Sequence, residues 1–532
     1  MDDRYYLTTP IYYVNDRPHI GHAYSTILAD VVARQRRMMG LEVRFLTGTD
    51  EHGQSVARAA ARRSMTPQEH VDELAPIWKA TWDALEIRYD RFIRTTDPDH
   101  VAVVREALTR LRQGTTPSGE SLLYQDAYRG WYCTSDERYW TEKDLRDGKC
   151  PECGRVVEEI EERNWFFRMS AFQERLVDHI QANPGFIHPA TRANEILGFL
   201  REPLGDLCIS RPRERLAWGI PFPWDEGYVT YVWVDALLNY VTGAVDPVPG
   251  EPPEQAARRA IDAWNEHPAD VHLIGKDILT THSVYWTTLL MALEWSLPRQ
   301  ILGHGWWLWE GQKMSKSTGN VVRPEELTEA FGVDGLRYYL LREMTLGQDS
   351  TYSYDLLMKR LNADLANDLG NLHSRVTKMA ERYLDGRLPV KAEAAGRAGE
   401  EILREPGEAL VEMGEGSFAA AWSEWRINAA IERVLDLVGA TNEYLERQSP
   451  WKKAREEAGR GDVAATLLHA AEAVRLAAAL LWPVVPELAA RILASLGQPP
   501  TPRREHLRWG VLDGGEVRVG PPLYRRLEPA EA

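Results

Sequence analysis

Residues 5–53 read YYLTTPIYYVNDRPHIGHAYSTILADVVARQRRMMGLEVRFLTGTDEHG, and this stretch decides the fold class. Its first ten residues are rich in aromatic and β-branched side chains, which is typical of a β-strand. After a polar turn at 15–18, apolar residues recur at helical spacing as far as Gly40, and a second strand-like run begins at Leu41. Strand, helix and strand in this order form a βαβ unit, so we predict a parallel sheet in an α/β domain.

The composition is that of a large globular chain. Because 532 residues are more than a single hydrophobic core ordinarily accommodates, about two to four domains are expected. No run of about eighteen apolar residues occurs, so no membrane span is predicted. The start MDDRYYLTTP lacks the features of a signal peptide, and four cysteines do not make a disulfide framework. The expected location is therefore the cytoplasm.

The net charge of −16 argues against nucleic-acid binding over the whole surface, because phosphates are neutralised by lysine and arginine. An acidic chain of this size can still carry one basic stripe, so a nucleic-acid partner is not excluded.

Two short motifs carry the chemistry. His19-Ile20-Gly21-His22 stands where the first strand meets its helix, and open α/β sheets bind ligands at that edge. Residues 313–317 read Lys-Met-Ser-Lys-Ser in a Gly-rich stretch that suggests a closing loop. Histidine and lysine donors suit a phosphate that gains negative charge during transfer, and Gly21 allows close approach of a nucleotide. The predicted catalytic and ATP-binding donors are His19, His22, Lys313 and Lys316. Polar helix-capping histidines and a solvated loop are the alternatives.

The two motifs, in this order, resemble the signatures of class I aminoacyl-tRNA synthetases. The resemblance implies ATP-dependent formation of an aminoacyl-adenylate, with Mg²⁺ bridging the phosphates, followed by transfer to tRNA. Gly275 and Asp277 follow an apolar strand, where a carboxylate can accept a ribose hydroxyl, so both are predicted ATP-binding residues. A surface turn is the alternative for these two.

Three segments resemble the methionyl-tRNA synthetase family: PIYYVNDRPHIGH, YVWVDALLNY and IGKDILTTHSVYW. The resemblance implies L-methionine as substrate and a side-chain pocket, with the ammonium held at Asp50. Aromatic rings pack well against a thioether, whereas ordinary core packing is the alternative for these residues. Leu237 stands where some members have proline. The implied pocket comprises Ile11, Tyr13, Trp233, Ala236, Leu237, Tyr240, Ile278, His282 and Trp286.

The sequence patterns indicate an order of domains. Strand-like runs followed by helical runs return after residue 227, and long helical stretches dominate from about residue 359 onward. The family resemblance implies the roles of these domains. The expected fold is a Rossmann-like parallel-sheet catalytic domain, split by a zinc-knuckle insertion and followed by an all-α helical-bundle anticodon-binding domain. The distance between the two motifs is too short for the editing insertion of the leucyl, isoleucyl and valyl enzymes. The predicted ranges are 1–115 and 228–330 for the catalytic halves, 116–227 for the insertion, 331–358 for a linking segment and 359–532 for the bundle.

Cys150-Pro-Glu-Cys153-Gly is a knuckle motif, because two thiolates two residues apart on a tight turn can hold one tetrahedral ion. Many relatives have a second CxxC where this chain has Cys133-Thr-Ser-Asp136. Aspartate is an acceptable zinc ligand, so one Zn²⁺ is predicted on Cys133, Asp136, Cys150 and Cys153. A degenerate site with buried cysteines is the alternative.

In the helical region Asn371, Arg375 and Trp451 resemble the anticodon-reading positions of the family. An aromatic ring can stack on an unpaired base, and arginine and asparagine can read base edges. The alternatives are a helix cap for Asn371 and a core wedge for Trp451. The expected partner is tRNA(Met), and the expected state is a monomer, because no dimerisation domain is visible. Another class I synthetase and a synthetase-like protein that only binds tRNA remain alternative functions.

Overall fold

The computed structural model describes residues 3–134, 138–151, 153–309, 311–313, 322–412 and 417–528. Contacts divide the chain into two compact units. The first comprises Met1–Ala29 with Val43–Gly305, and the second comprises Asp30–Glu42 with Trp306–Ala532.

The centre of the first unit is a six-stranded sheet in the order β3-β2-β1-β12-β13-β7. The pairs β1–β12, β12–β13, β13–β7 and β2–β3 are parallel, so the predicted parallel sheet is confirmed. The strands are β1 (Arg4–Tyr13), β2 (Glu42–Asp50), β3 (Arg91–Arg94), β7 (Ile187–His188), β12 (Val271–Gly275) and β13 (Ile301–His304).

The helices between Pro98 and Leu293 share one hydrophobic core with this sheet. Two irregular helical segments, Lys276–Ile278 and Thr281–Trp286, join β12 to α10, and the second has wide π-type turns. The regular helices are α1 (Ile20–Met38), α2 (Gln54–Arg62), α3 (Pro67–Ala84), α4 (Pro98–Gln113), α5 (Gln173–Ala182), α6 (Ala190–Phe199), α7 (Val232–Leu237), α8 (Asn239–Thr242), α9 (Pro253–Glu266) and α10 (Thr287–Leu293). The part of α1 from Asp30 onward belongs to the second unit.

Two antiparallel sheets lie between β3 and β12 in the chain, with orders β5-β4-β6-β8 and β10-β11-β9. The strand Asp225–Thr230, which leads into α7, belongs to the second of these sheets. By contrast β7, which lies inside the range 116–227, joins the edge of the parallel sheet through Ile187 and His188. The antiparallel strands are β4 (Leu123–Cys133), β5 (Arg138–Trp140), β6 (Glu158–Phe167), β8 (Leu207–Cys208), β9 (Ser210–Pro212), β10 (Pro221–Phe222) and β11 (Asp225–Thr230).

The second unit is mainly helical, as predicted for the C-terminal region. Its helices are α11 (Pro324–Phe331), α12 (Val333–Glu343), α13 (Tyr354–Arg360), α14 (Asn371–Leu384), α15 (Lys391–Ala394), α16 (Glu401–Val411), α17 (Phe418–Ser423), α18 (Ile427–Gln448), α19 (Pro450–Lys453), α20 (Arg460–Leu481) and α21 (Pro486–Ser495). Its strands are β14 (Trp307–Trp309), β15 (Gln312–Lys313), β16 (Ser350–Tyr352), β17 (Arg387–Leu388) and β18 (Gly515–Glu516).

The helical segment Glu457–Leu481, which contains α20, is the one described segment long and apolar enough to cross a membrane. Its most apolar window is 94% buried within the protein. Burial on all sides is typical of the central helix of a soluble bundle, so this segment is weak evidence for a membrane span.

Candidate active site, metal cluster and nucleic-acid surface

The HIGH segment lies at the start of α1, directly after β1. The rings of His19 and His22 stack with their centroids 3.6 Å apart. The Nδ1 atom of His22 accepts the backbone N–H of His19 at 3.3 Å, and Nδ1 of His19 accepts that of Gly21 at 3.1 Å. Each neutral ring therefore carries its proton on Nε2, which makes Nε2 the donor of both side chains.

Gly21 is required by this packing. A Cβ atom at this position would lie 2.9 Å from Cε1 of His19, which is too close for any other residue without moving the histidine ring. The glycine therefore allows the two rings to stack at the helix N-terminus, where backbone N–H groups favour phosphate.

The C-terminal ends of β12 and β13 lie beside α1. Gly275 pairs in register with His304, whose Nε2 lies 2.7 Å from the hydroxyl of Ser25 on α1. Since the His304 Nδ1 proton goes to the carbonyl of Gly305, Nε2 accepts from the serine. A Cβ at Gly275 would lie 2.5 Å from a carboxylate oxygen of Asp277, so glycine lets that carboxylate lie against the strand end.

The aromatic residues predicted for the methionine pocket come together in the first unit. The rings of Tyr13 and Trp233 meet edge to face at 6.3 Å, and those of Tyr240 and Trp286 do so at 5.8 Å. Of the remaining predicted pocket residues, Leu237 belongs to the hydrophobic core cluster of this unit, and Ile11 and Ile278 pack against that cluster. Ala236 precedes Leu237 on α7 and is buried.

Tyr240 and His282 form a buried polar pair inside this region. Their Oη and Nε2 atoms are 2.7 Å apart, and Nδ1 of His282 donates to the carbonyl of Ile278 at 2.9 Å. Nε2 of the neutral ring is therefore an acceptor, and the tyrosine hydroxyl donates to it. Burial lowers the pKa of His282 to about 4, so this ring is neutral at physiological pH.

Asp50, at the end of β2, is 2% exposed. Burial raises the pKa of Tyr240, and the negative charge of Asp50 adds to this effect. A buried carboxylate beside the pocket is suited to an ammonium group.

Sequence reasoning missed a buried network next to these residues. Asp235 accepts from His52 at 2.7 Å and from His100 at 2.9 Å, and His100 also contacts Thr242 at 3.0 Å. Burial alone would raise the pKa of Asp235, but its contacts with the two histidines hold the pKa below the usual value. The signal in the sequence was an aspartate two residues after Trp233, inside an otherwise apolar helix.

Three cysteines form a cluster in the antiparallel region. Cys133 ends β4, and the turn that carries Cys150 and Cys153 closes at Gly154, whose φ is +68°. The sulfur atoms of Cys133 and Cys153 are 3.4 Å apart, and all three cysteines offer ligand atoms within 4.8 Å of one another. Thiolates on one tetrahedral zinc ion are about 3.8 Å apart, so the donor set fits this metal. Asp136, the predicted fourth ligand, lies outside the described residues.

Cys208 is not a member of this cluster, and its sulfur lies 3.3 Å from the guanidinium of Arg211. Burial raises the pKa of the Cys208 thiol.

In the second unit, Arg375 and Trp451 are neighbours. The guanidinium carbon of Arg375 lies 5.7 Å from the ring centroid of Trp451, and the same group donates to Glu446 at 2.6 Å. Trp451 is half-buried and Asn371 is exposed. Asn371 is the first residue of α14 and does not cap it, because the preceding segment is already helical. These residues can therefore meet a partner molecule from outside.

The KMSKS motif is only partly described. Lys313 lies in β15, whose backbone pairs with β14, and Lys316 lies outside the described residues. Their predicted role rests on the sequence.

Comparisons with known proteins agree over nearly the whole chain. The family model of "tRNA synthetases class I (M)" matches residues 5–160 and 156–377, and that of the "Anticodon binding domain of methionyl tRNA ligase" matches residues 400–528. The methionine–tRNA ligase of Caldanaerobacter subterraneus subsp. tengcongensis is 41% identical, over 99% of this chain and 80% of its own length. That of Thermosynechococcus vestitus is 40% identical, over 99% of this chain and 98% of its own.

Solved structures give the same result. Mycobacterium tuberculosis methionyl-tRNA synthetase bound by methionyl-adenylate superposes with a TM-score of 0.88 at 39% identity. The match covers 98% of this chain and 100% of that one. The apo form of the same enzyme superposes with a TM-score of 0.81 at 38% identity, over 99% and 98% of the two chains.

Proposed function

The chain belongs to the methionyl-tRNA synthetase family, and we propose from this membership and from the site geometry how its residues carry out the reaction. It uses ATP to activate L-methionine and transfers the methionine to tRNA. In activation, a carboxylate oxygen of methionine attacks the α-phosphorus of ATP, and pyrophosphate leaves with the electrons of the broken P–O bond. In transfer, a hydroxyl at the 3′ end of tRNA attacks the carbonyl carbon of the adenylate, and AMP leaves.

Methionine binds, in this proposal, with its ammonium at Asp50 and its side chain among the aromatic rings. The edge-to-face pair of Tyr13 and Trp233 offers polarizable surface to the thioether. Because the Tyr240–His282 pair is neutral and internally hydrogen-bonded, it brings no charge to the predicted pocket that would favour a polar side chain. This buried neutral pair is the single observation that best supports methionine as the substrate.

ATP binds, in this proposal, against the start of α1. The Nε2–H donors of His19 and His22 face the phosphates, and Gly275 and Asp277 hold the ribose at the ends of the strands. Such donors act mainly on the charge that develops in the transition state. Mg²⁺ bound together with ATP would neutralise part of the charge of the phosphates. The role of Lys313 and Lys316 as cationic donors to the leaving pyrophosphate is proposed from the KMSKS motif alone.

One Zn²⁺ is proposed on Cys133, Cys150 and Cys153, with Asp136 as the fourth ligand. The ion would be structural, because four protein ligands leave no open position for a substrate. It would hold the end of β4 to the knuckle turn.

Transfer RNA is bound through the helical unit, in agreement with the match to an anticodon-binding domain. We propose that Asn371, Arg375 and Trp451 read the anticodon of tRNA(Met), with Trp451 stacking on a base. A monomeric state and a cytoplasmic location are part of the same proposal, as are the domain boundaries at 115, 227, 330 and 358.

The test is aminoacylation of purified bulk tRNA by the full chain, with labelled methionine and, separately, with labelled leucine, isoleucine, valine and cysteine. Methionine alone should form an ester with tRNA, and it should do so only with ATP present. Charging with a different amino acid would point to another class I synthetase. Binding of tRNA without any charging would point to a non-catalytic relative.

A further inference from the structure

His272 is a buried polar residue in the middle of the apolar strand β12. Its side chain is 0% exposed, and both of its ring nitrogens have partners. Because Thr8 and His272 are register partners on the adjacent strands β1 and β12, the Thr8 hydroxyl lies 2.7 Å from Nδ1. On the other side, the indole N–H of Trp286 donates to Nε2 at 3.1 Å.

The second contact fixes the protonation state of the ring. An indole nitrogen can only donate, so Nε2 of His272 must be an acceptor and must carry no proton. The proton of the neutral imidazole is therefore on Nδ1, where it is donated to the oxygen of Thr8. Complete burial lowers the pKa of His272 well below its ordinary value, in agreement with a neutral ring.

The same ring also supports Tyr240. The centroids of the His272 and Tyr240 rings are 4.2 Å apart. The ring of Trp264 lies nearly parallel to the imidazole of His272, with a centroid distance of 6.1 Å. His272 thus contacts Tyr240 and Trp286, which both belong to the predicted methionine pocket.

A buried indole N–H needs an acceptor, and its direction sets the orientation of the ring. Because the indole N–H of Trp286 donates to Nε2 of His272, this hydrogen bond holds the indole ring against β12. Without that acceptor, rotation of the indole toward another partner would change the shape and polarity of the pocket wall.

We propose that His272 is a positioning residue for methionine selection, which orients the indole of Trp286 through its unprotonated Nε2 and supports the ring of Tyr240. This inference rests on the proposed function, because it assumes that Trp286 and Tyr240 line the methionine pocket. His272 itself acts through these two side chains.

The experiment compares two replacements of His272, each of which keeps a hydrogen-bonding group at the position of one of the two ring nitrogens. In His272→Gln the amide oxygen can reach the position of Nε2 and still accept from Trp286. In His272→Asn the shorter amide reaches only the position of Nδ1 and contacts Thr8. Methionine-dependent ATP–pyrophosphate exchange is measured for both, with His267→Asn, a histidine beside Asp270 near the start of β12, as the matched control.

His272→Asn should raise the KM for methionine about tenfold, the effect of leaving one buried donor unsatisfied, with a much smaller change in kcat. His272→Gln should restore most of the affinity, and His267→Asn should retain the wild-type KM. Equal KM values for the Asn and Gln variants, whether raised or unchanged, would overturn the inference. A wild-type chain without methionine-dependent exchange would overturn the proposed function instead.

A second comparison covers the case in which His272→Asn does not fold. Trp286→Phe keeps a ring but removes the N–H donor, so it should raise the KM for methionine while the chain remains folded by circular dichroism. If His272→Asn does fold, the double variant should show no further rise, because the two changes remove one shared hydrogen bond. A wild-type KM in Trp286→Phe, or additive effects in the double variant, would contradict the role of His272.

Discussion

Asp235 and His52 share a buried hydrogen bond, with Oδ2 of the aspartate 2.7 Å from Nδ1 of the histidine. Both side chains are nearly inaccessible, at 1% and 8% exposure. His52 follows β2 two residues after Asp50, and Asp235 lies on α7 two residues after Trp233. This bond therefore connects the segment proposed to hold the methionine ammonium with the helix proposed to hold its side chain.

Asp235→Asn should destabilise the first unit and weaken methionine binding. An amide can accept from one histidine but not from both, so one buried imidazole loses its acceptor, at a cost of about 3 kcal/mol. Thermal denaturation and the KM for methionine in the exchange reaction measure the two effects. The control is Glu106→Gln, which breaks the exposed pair with Arg110 and should change stability by less than about 0.5 kcal/mol. Equal melting temperatures for the two variants would refute a structural role for Asp235.

The pH dependence of stability should contain a contribution from His282. Burial lowers its pKa in the folded protein to about 4, below the value of about 6.5 expected in the unfolded chain. The unfolded state therefore binds a proton first as the pH falls, so this contribution is complete above about pH 6.5 and is lost between about 6.5 and 4.

His282→Gln, which can still accept from Tyr240, should show a smaller loss of melting temperature between pH 6.5 and pH 4.5 than the wild type. His272 and Asp277 contribute to the charge environment of His282 and are unchanged in both proteins. An identical slope in the two proteins would mean that His282 does not titrate on unfolding in this range.

The cysteine cluster should carry one zinc ion per chain after purification without chelators. Cys150→Ser and Cys153→Ser should each lose the metal, because two thiolates and one carboxylate hold zinc far less tightly than the full set. Cys208→Ser is the matched control and should keep the full equivalent. The zinc content is measured by elemental analysis. A wild-type value well below one zinc ion per chain would argue for a degenerate site.

Trp451→Ala should leave methionine activation unchanged and weaken tRNA charging. Loss of a base stacked on an aromatic ring removes about 1–3 kcal/mol of binding free energy, which would appear as a higher KM for tRNA. Trp422, which is 5% exposed, provides the comparison for a core tryptophan. Its replacement by alanine should instead lower the melting temperature strongly. If Trp451→Ala behaved like Trp422→Ala, its role would be in the core.

The sequence was sufficient to predict the elements formed by local pattern. The βαβ unit at the N-terminus, the position of the HIGH segment at a helix start and the helical C-terminal region follow from periodicity, turn residues and helix stops. The cysteine knuckle could be predicted for the same reason, since CPECG carries its own tight turn.

Contacts between distant strands could not be predicted in this way. The Thr8–His272 contact depends on which strands are neighbours and on their register, and these two residues are 264 positions apart. The pairing of β7 with β13 could not be predicted either, because β7 has only two residues and no strand-like pattern surrounds it. The Asp235 network was missed because a single aspartate in an apolar helix gives no indication of its two histidine partners.

The most direct test of the central claim is ATP–pyrophosphate exchange by the wild-type chain with each of the twenty amino acids in turn. The site described above predicts exchange with L-methionine, dependent on ATP and Mg²⁺, and only background exchange with leucine, isoleucine, valine and cysteine. Exchange supported by one of these four amino acids but not by methionine would contradict the assignment of the pocket. Absence of exchange with every amino acid, by protein shown to be folded, would contradict the catalytic function itself.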